Sequence, residues 1–278
     1  MDRLDAFKSI AAQAGRGELA FPTNVAASVK LQQALSDPDC HTDTAAKLVQ
    51  ADPLLAARTV AIANSVAYNR SGNEIAGVRQ AVQRLGVRTL QSLVAALIVR
   101  QLGSQIKDPG LQAMSRQLWE HTAHVAALAQ VIARRVTHVD PDTAMFAGIV
   151  HEVGGFYMLS CADSDPAIMQ GEPEEWVEHG EAQIGRGVLN KLVIPEAVMQ
   201  AVEAMWDGLR ALPPETLGDT LLLANDLAPI PSPLHSRPGA TSPQAARTID
   251  FAIGDGTLNA ILTESAAEVH SLTKVLLL

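Results

Sequence analysis

Apolar positions along the chain recur at spacings of three and four, and no stretch sustains the alternation of a half-buried strand. After Asp52-Pro53, the run LLAARTVAIANS places Leu54, Leu55, Ala57, Val60, Ala61 and Ile62 on one broad stripe. Val78 to Leu85 repeats the pattern, and Gly86 stands where a glycine just past a helix C-terminus would close it. Val87 to Leu102 is almost wholly apolar and runs into Gly103, which reads as a buried central helix. Further helical patterns cover Leu111 to Val136, Thr143 to Met158, Trp176 to Leu192, Pro195 to Trp206 and Thr216 to Leu227. The expected fold is all-α, divided into successive helical segments.

Punctuation supports this division. Asp-Pro occurs at residues 37–38, 52–53, 108–109, 140–141 and 165–166. Asp caps orphan N–H groups and Pro at the first helical position loses no hydrogen bond, so several of these pairs should start helices. Seven of the 15 prolines fall between residues 213 and 243. The segment PIPSPLHSRPGATSP cannot be helical and offers no side chains for a core, so it reads as a linker or extended strap. Beyond it, Leu258, Ile261, Leu262, Val269, Leu272, Val275 and Leu276 form the stripe of a C-terminal amphipathic helix over Thr257 to Leu278. That helix should dock on the body or on a second copy. The expected organisation is an N-terminal helix at 1–19, helical subdomains at 20–107 and 108–228, a Pro-rich linker at 229–243 and the amphipathic helix within 244–278.

Composition narrows the class. An apolar fraction of 47% in 278 residues can offset the entropy of ordering, which favours a globular fold over disorder. The longest uninterrupted apolar run, Leu93 to Val99, is short of the ~18 residues that a span requires, so no membrane crossing is expected. The N-terminus mixes both charge signs without an apolar core, unlike a secretory signal, and Cys40 and Cys161 form no CxxC. A cytoplasmic location is expected. The net charge of −9 is uneven: residues 1–107 hold 12 Lys/Arg against 8 Asp/Glu, a net of +4, and residues 108–278 hold 9 against 22, a net of −13. The most basic stretch, 74–107, carries Arg79, Arg84 and Arg88, candidates for gripping a ligand or partner. It has no interleaved aromatics for base stacking, and the overall charge counts against nucleic-acid binding.

Histidines and carboxylates carry the candidate chemistry. His121 and His124 lie three apart on one expected helix, His151-Glu152 adjoin inside MFAGIVHEVGG, and Asp226 follows LLLAN. A divalent metal needs such donors to converge from separate helices. Adjacent residues reach one ion only at a helix irregularity or end, which Gly154-Gly155 could supply. Taken alone, His-Glu is a weak signal, since a buried histidine bonded to a backbone carbonyl is commoner than a ligand. His124 and His138 read as polar-face residues, and the motifs GxSxG, GxxxxGK[ST], GxGxxG and HExxH are absent.

These residues sit in a familiar succession. FPTNVAASVKLQQALSDPDCHTDTAAKLVQADPLLAARTVAIANSVAYN and IAGVRQAVQRLGVRTLQSLVAALIV, then Trp119-Glu120-His121, AMFAGIVHEVGG and IGRGVLNKLVIPEAVMQAV, resemble the HDOD domain over about residues 20 to 228. The resemblance implies an N-terminal helical bundle packed on a C-terminal HD-like helical bundle, and HDOD domains are similar to the HD superfamily of metal-dependent phosphohydrolases. The resemblance implies His121, His151, Glu152 and Asp226 as a degenerate metal-ligand set, with Glu152 in the place of an aspartate. Glu181 and Met205-Trp206 stand where active relatives of the HD-GYP kind carry histidines, which removes hard-metal donors. One weakly bound divalent metal, or none, is therefore expected.

The resemblance implies a bacterial signal-transduction role without catalysis. The expected partners are a signalling protein, a small second-messenger ligand, and a second copy through the C-terminal helix. The alternative is a metal-dependent phosphohydrolase acting on a nucleotide or cyclic dinucleotide, with the four candidate ligands holding one ion and Arg79, Arg84 or Arg88 gripping phosphate.

Overall fold

The computed structural model describes residues 3–21, 23–170, 173–208, 211, 213–234 and 256–277. No strand occurs among them. The first subdomain comprises α1 (Arg3–Gly15), α2 (Thr23–Leu35), α3 (Thr42–Gln50), α4 (Pro53–Ala63) and α5 (Val78–Gly103). The second contains α6 (Pro109–Ile132), α7 (Pro141–Val150), α8 (Val153–Ala162), α9 (Pro173–Trp176), α10 (Ala182–Lys191), α11 (Glu196–Asp207) and α12 (Leu217–Leu227). Beyond the strap lie α13 (Thr257–Glu264) and α14 (Ala266–Leu277).

Four of the five Asp-Pro pairs start helical segments. Asp52 Oδ1 accepts from Leu54 N–H and Leu55 N–H, Asp108 from Leu111 N–H, Asp140 from Thr143 N–H, and Asp165 caps the short 3-10 turn Pro166–Met169. Asp37-Pro38 forms a turn instead, with Asp37 accepting from Asp39 N–H. Gly86 has φ 76° and ψ 169°, a conformation open to glycine almost alone, and it bends α5 between the two apolar runs. Sequence periodicity placed that junction correctly.

The straight part of α5 is the central post. It packs against α2, α3 and α4 of its own subdomain and against α7 and α8 of the other, so one continuous apolar core spans both. By length and hydropathy alone, Val78–Gly103 and Pro141–Ala162 could each cross a bilayer, but 67% and 89% of their most apolar windows lie inside the protein. Their apolarity is accounted for by this core. α1 packs on α10 rather than on its neighbours in sequence, and Arg3 reaches Glu175 at 3.2 Å.

Two expectations need correction. The C-terminal pattern is two helices broken at Ser265, which is buried between them, and α14 lies on α6 and α4 of the same chain through Leu272 and Leu276. Arg134 pairs with Glu268, and Arg135 with Glu264 at 3.2 Å, to fasten this contact. The strap, described over 229–234, does contribute to the core. Leu234 is 5% exposed, because α6 and α8 leave an apolar recess that it fills. The rest of the expected linker, 235–243, and residues 244–255 lie outside the described residues.

Candidate metal centre

The loop after α4 shows what the Ala-Asn-Ser stretch does. Asn64 accepts Ile75 N–H at 2.8 Å and donates to the Ile75 carbonyl at 2.7 Å, clamping the connection to α5. Arg84 donates to the carbonyls of Ala63 and Asn73, each at 2.9 Å, so its guanidinium is committed to the same loop. Tyr68 donates to Asp142 at 2.6 Å and accepts from Gln130 at 2.7 Å. Burial first, and then the Asp142 charge, push the Tyr68 phenol well above its ordinary range. The Asn64 and Arg84 bonds tie the first subdomain internally, and those of Tyr68 join it to the second.

The titratable cluster lies where α6 meets the α7–α8 break. Gly148 permits the approach: a Cβ there would stand 2.5 Å from Ala126 Cα and 2.9 Å from its N. α7 ends at Val150 and α8 begins at Val153, with Glu152 at φ −104° and ψ 15°. On an uninterrupted helix, neighbouring side chains diverge by about 100°. The break instead turns both His151 and Glu152 toward His121. The irregularity is thus at residues 151–152 themselves. Gly154 and Gly155 belong to α8 and serve packing, the first against the Gly185 backbone and the second against Leu234.

One ligand atom from each of His121, His151 and Glu152 lies within 4.8 Å of the others, and the three residues are only 2–3% exposed. His121 Nδ1 stands 2.8 Å from the Ile230 carbonyl and His151 Nδ1 2.7 Å from the Gly148 carbonyl. A carbonyl only accepts, so each Nδ1 carries the proton and each Nε2 turns a lone pair inward. The two Nε2 atoms are 3.3 Å apart. With imidazole–metal bonds of 2.0–2.1 Å, that chord corresponds to an N–metal–N angle of about 105°, close to tetrahedral. Two imidazoles and a carboxylate in this geometry fit a divalent cation such as zinc.

Asp226, half-buried on α12, is not in this cluster. Glu181 is buried on the turn Val177–Glu181, Met205 is buried in the core, and the Trp206 ring lies against Gly185; none of them joins the cluster. Arg79 and Arg88 are exposed on α5, Arg79 pairing with Asp43 at 2.8 Å and Arg88 approaching Asp140 at 3.8 Å. Sequence reading missed the strap as part of the site. Ile230 lends only its carbonyl, and a backbone atom leaves no signature in side-chain pattern.

Over the cluster, the strap forms a cover. Ile230 holds His121, Gln117 Nε2 donates to the Pro231 carbonyl at 3.1 Å, and Leu234 presses on α8 at Gly155. Two pockets lie away from the cluster: an apolar groove of about 740 Å³ beneath α14, and a more polar one of about 460 Å³ between α5, α6 and α8.

Comparison with known proteins agrees with this architecture. No curated protein matches the chain. A solved structure from Shewanella amazonensis SB2B, described as a proposed metal-dependent phosphohydrolase, is 20% identical, aligns over 98% of both chains and has a TM-score of 0.72. An HDOD domain protein of unknown function from Geobacter sulfurreducens is 21% identical over 98% of this chain and 99% of its own, with a TM-score of 0.63. A proposed signal transduction protein from Marinobacter aquaeolei VT8 is 18% identical, with a TM-score of 0.60 over 99% of this chain and 66% of its own. These likenesses establish a shared fold. Residues 21–207 match the HDOD domain itself, and the chain belongs to the HDOD family.

Proposed function

We propose that this HDOD protein is a non-catalytic regulatory module that acts by binding a signalling protein, and that its His121–His151–Glu152 cluster holds at most one divalent cation in a structural role. The observation that carries this reading is the closure of the cluster. Hydrolysis of a phosphodiester needs an open coordination position for water beside a space for the substrate. Here the three ligand residues are 2–3% exposed and the strap lies over them. The fourth candidate ligand, the carboxylate of Asp226, lies outside the cluster. A cation at this site would tie α6 to the α7–α8 break, and the Nδ1–H donors would keep both imidazoles oriented toward it.

That leaves the surface as the place of action. Arg79 and Arg88 are exposed on α5, one on each side of the Gly86 bend, and their partners Asp43 and Asp140 are exposed too, so these pairs are easily exchanged for contacts to another protein. Arg84 is committed to its loop and belongs to the scaffold. The test is capture from native lysate by the full chain and by a folded R79E/R88E variant. A protein retained by the first and lost by the second is the expected result, and identical capture by both would overturn the assignment of these arginines.

A second reading, metal-dependent phosphohydrolysis, is favoured by the 3.3 Å separation of the two Nε2 atoms, which suits a bound cation. It requires the strap to leave the cluster.

A further inference from the structure

The 460 Å³ pocket between α5, α6 and α8 carries chemistry that the fold does not use. Arg100, Arg116 and Trp119 are among its walls, with Ser115 and Phe156. Trp119 is 7% exposed, and its indole Nε1–H is buried without an acceptor. Arg100 lies over the Trp119 ring, 5.9 Å from its centroid, and its Nη1 is likewise buried without an acceptor. Arg116, one turn before Glu120 on α6, reaches the rim with no ion-pair partner among the described residues. A third guanidinium stands behind them. Arg58 of α4 is 8% exposed with its Nε unsatisfied, and burial together with the Arg100 charge pushes its pKa down to about 10.

Buried donors left unmade are costly, and like charges brought together add to that cost. An oxyanion in the pocket would offset the clustered positive charge. Arg100 and Arg116 outnumber the one carboxylate on the same wall, Glu120, and two guanidiniums match the charge and the several acceptor oxygens of a phosphoryl group. The volume, within the range of small-molecule sites, leaves room for the group that the phosphoryl is attached to. We propose that this pocket binds a small phosphate ester, with Arg100 and Arg116 neutralising the phosphoryl group and the Trp119 ring forming part of the wall. The site is separate from the histidine cluster and does not depend on what that cluster holds. Leu277, the end of α14, is also part of its wall, so occupancy and the docking of α14 share an edge.

The test titrates the full chain with inorganic phosphate, AMP and succinate at constant ionic strength, reading tryptophan fluorescence and Tm. Phosphate and AMP should give a saturable fluorescence change and a rise in Tm, while succinate should not. Arg100→Gln should raise the half-saturation concentration about tenfold or more, as expected for loss of a charge-assisted pair. Arg116→Gln should do the same, and because Arg116 is exposed this variant folds whatever the fate of the first. Three results would overturn the proposal: no saturable response to phosphate or AMP into the tens of millimolar, equal saturation by succinate, or half-saturation unchanged in Arg116→Gln.

Discussion

At the scale of single residues, the candidate site depends on a glycine as much as on its ligands. Gly148 lets α7 approach α6 closely enough to set the two imidazoles 3.3 Å apart. In Gly148→Ala the new methyl would meet the Ala126 backbone, which cannot swing aside as a flexible side chain could. Overpacking of this kind costs about 1–3 kcal/mol, and the better helix propensity of alanine returns about 1 kcal/mol of it. Because the clash is with backbone, the upper end of that range applies, and a net loss of about 2 kcal/mol is expected, read as a lower urea midpoint with an unchanged slope. An unchanged midpoint would show that the helices separate at no cost. His121, His151 and Glu152 were legible in the sequence because residue type and spacing survive there. Asp226 was named with them as a candidate and lies outside the cluster, because convergence of side chains depends on helix approach, which a one-dimensional pattern does not contain.

At the scale of elements, helix starts were the most legible feature, because capping is a local exchange of hydrogen bonds. Four Asp-Pro pairs behave as their chemistry requires, and Gly86 bends α5 where the apolar run is interrupted. The breaks at Ser265 and at residues 151–152 were not legible, since nothing in local propensity demands them and tertiary packing sets both. The cap of α12 gives a pH prediction. Thr216 caps this helix, and Asp219 accepts from the Thr216 hydroxyl at 2.7 Å and from the N–H groups of Thr216, Ala211 and Glu215. Burial opposes ionisation of Asp219, but these donors outweigh it and hold the carboxyl below its ordinary range. A depressed folded pKa contributes stability that is fully present above the unfolded value, near 3.9, and lost as pH falls through the folded value. Urea midpoints measured from pH 7 down to pH 3 should therefore show wild type ahead of Asp219→Asn at neutral pH, with the gap closing below about pH 4. A gap that stays constant with pH would remove Asp219 from this role.

At the scale of the whole molecule, the all-α architecture could be read from periodicity, and the helices named in advance are nearly all present. The change of charge near residue 108 coincides with the turn from α5 into α6, yet it marks no gap between bodies: one core runs through both halves, and α1 crosses over to pack on α10. The strap was the part least visible in sequence. Its prolines forbid helix, but only the folded chain shows Ile230 and Leu234 drawn down over the cluster. The strap lies over a histidine–carboxylate centre suited to a cation, and that cover is what supports the proposal of regulation rather than turnover. The most direct measurement is the initial rate at which the full chain, supplied with manganese, hydrolyses bis(p-nitrophenyl) phosphate, compared with His151→Ala. The account predicts equal rates at the uncatalysed background for both proteins; a manganese-dependent rate in the wild type that disappears in His151→Ala would contradict it.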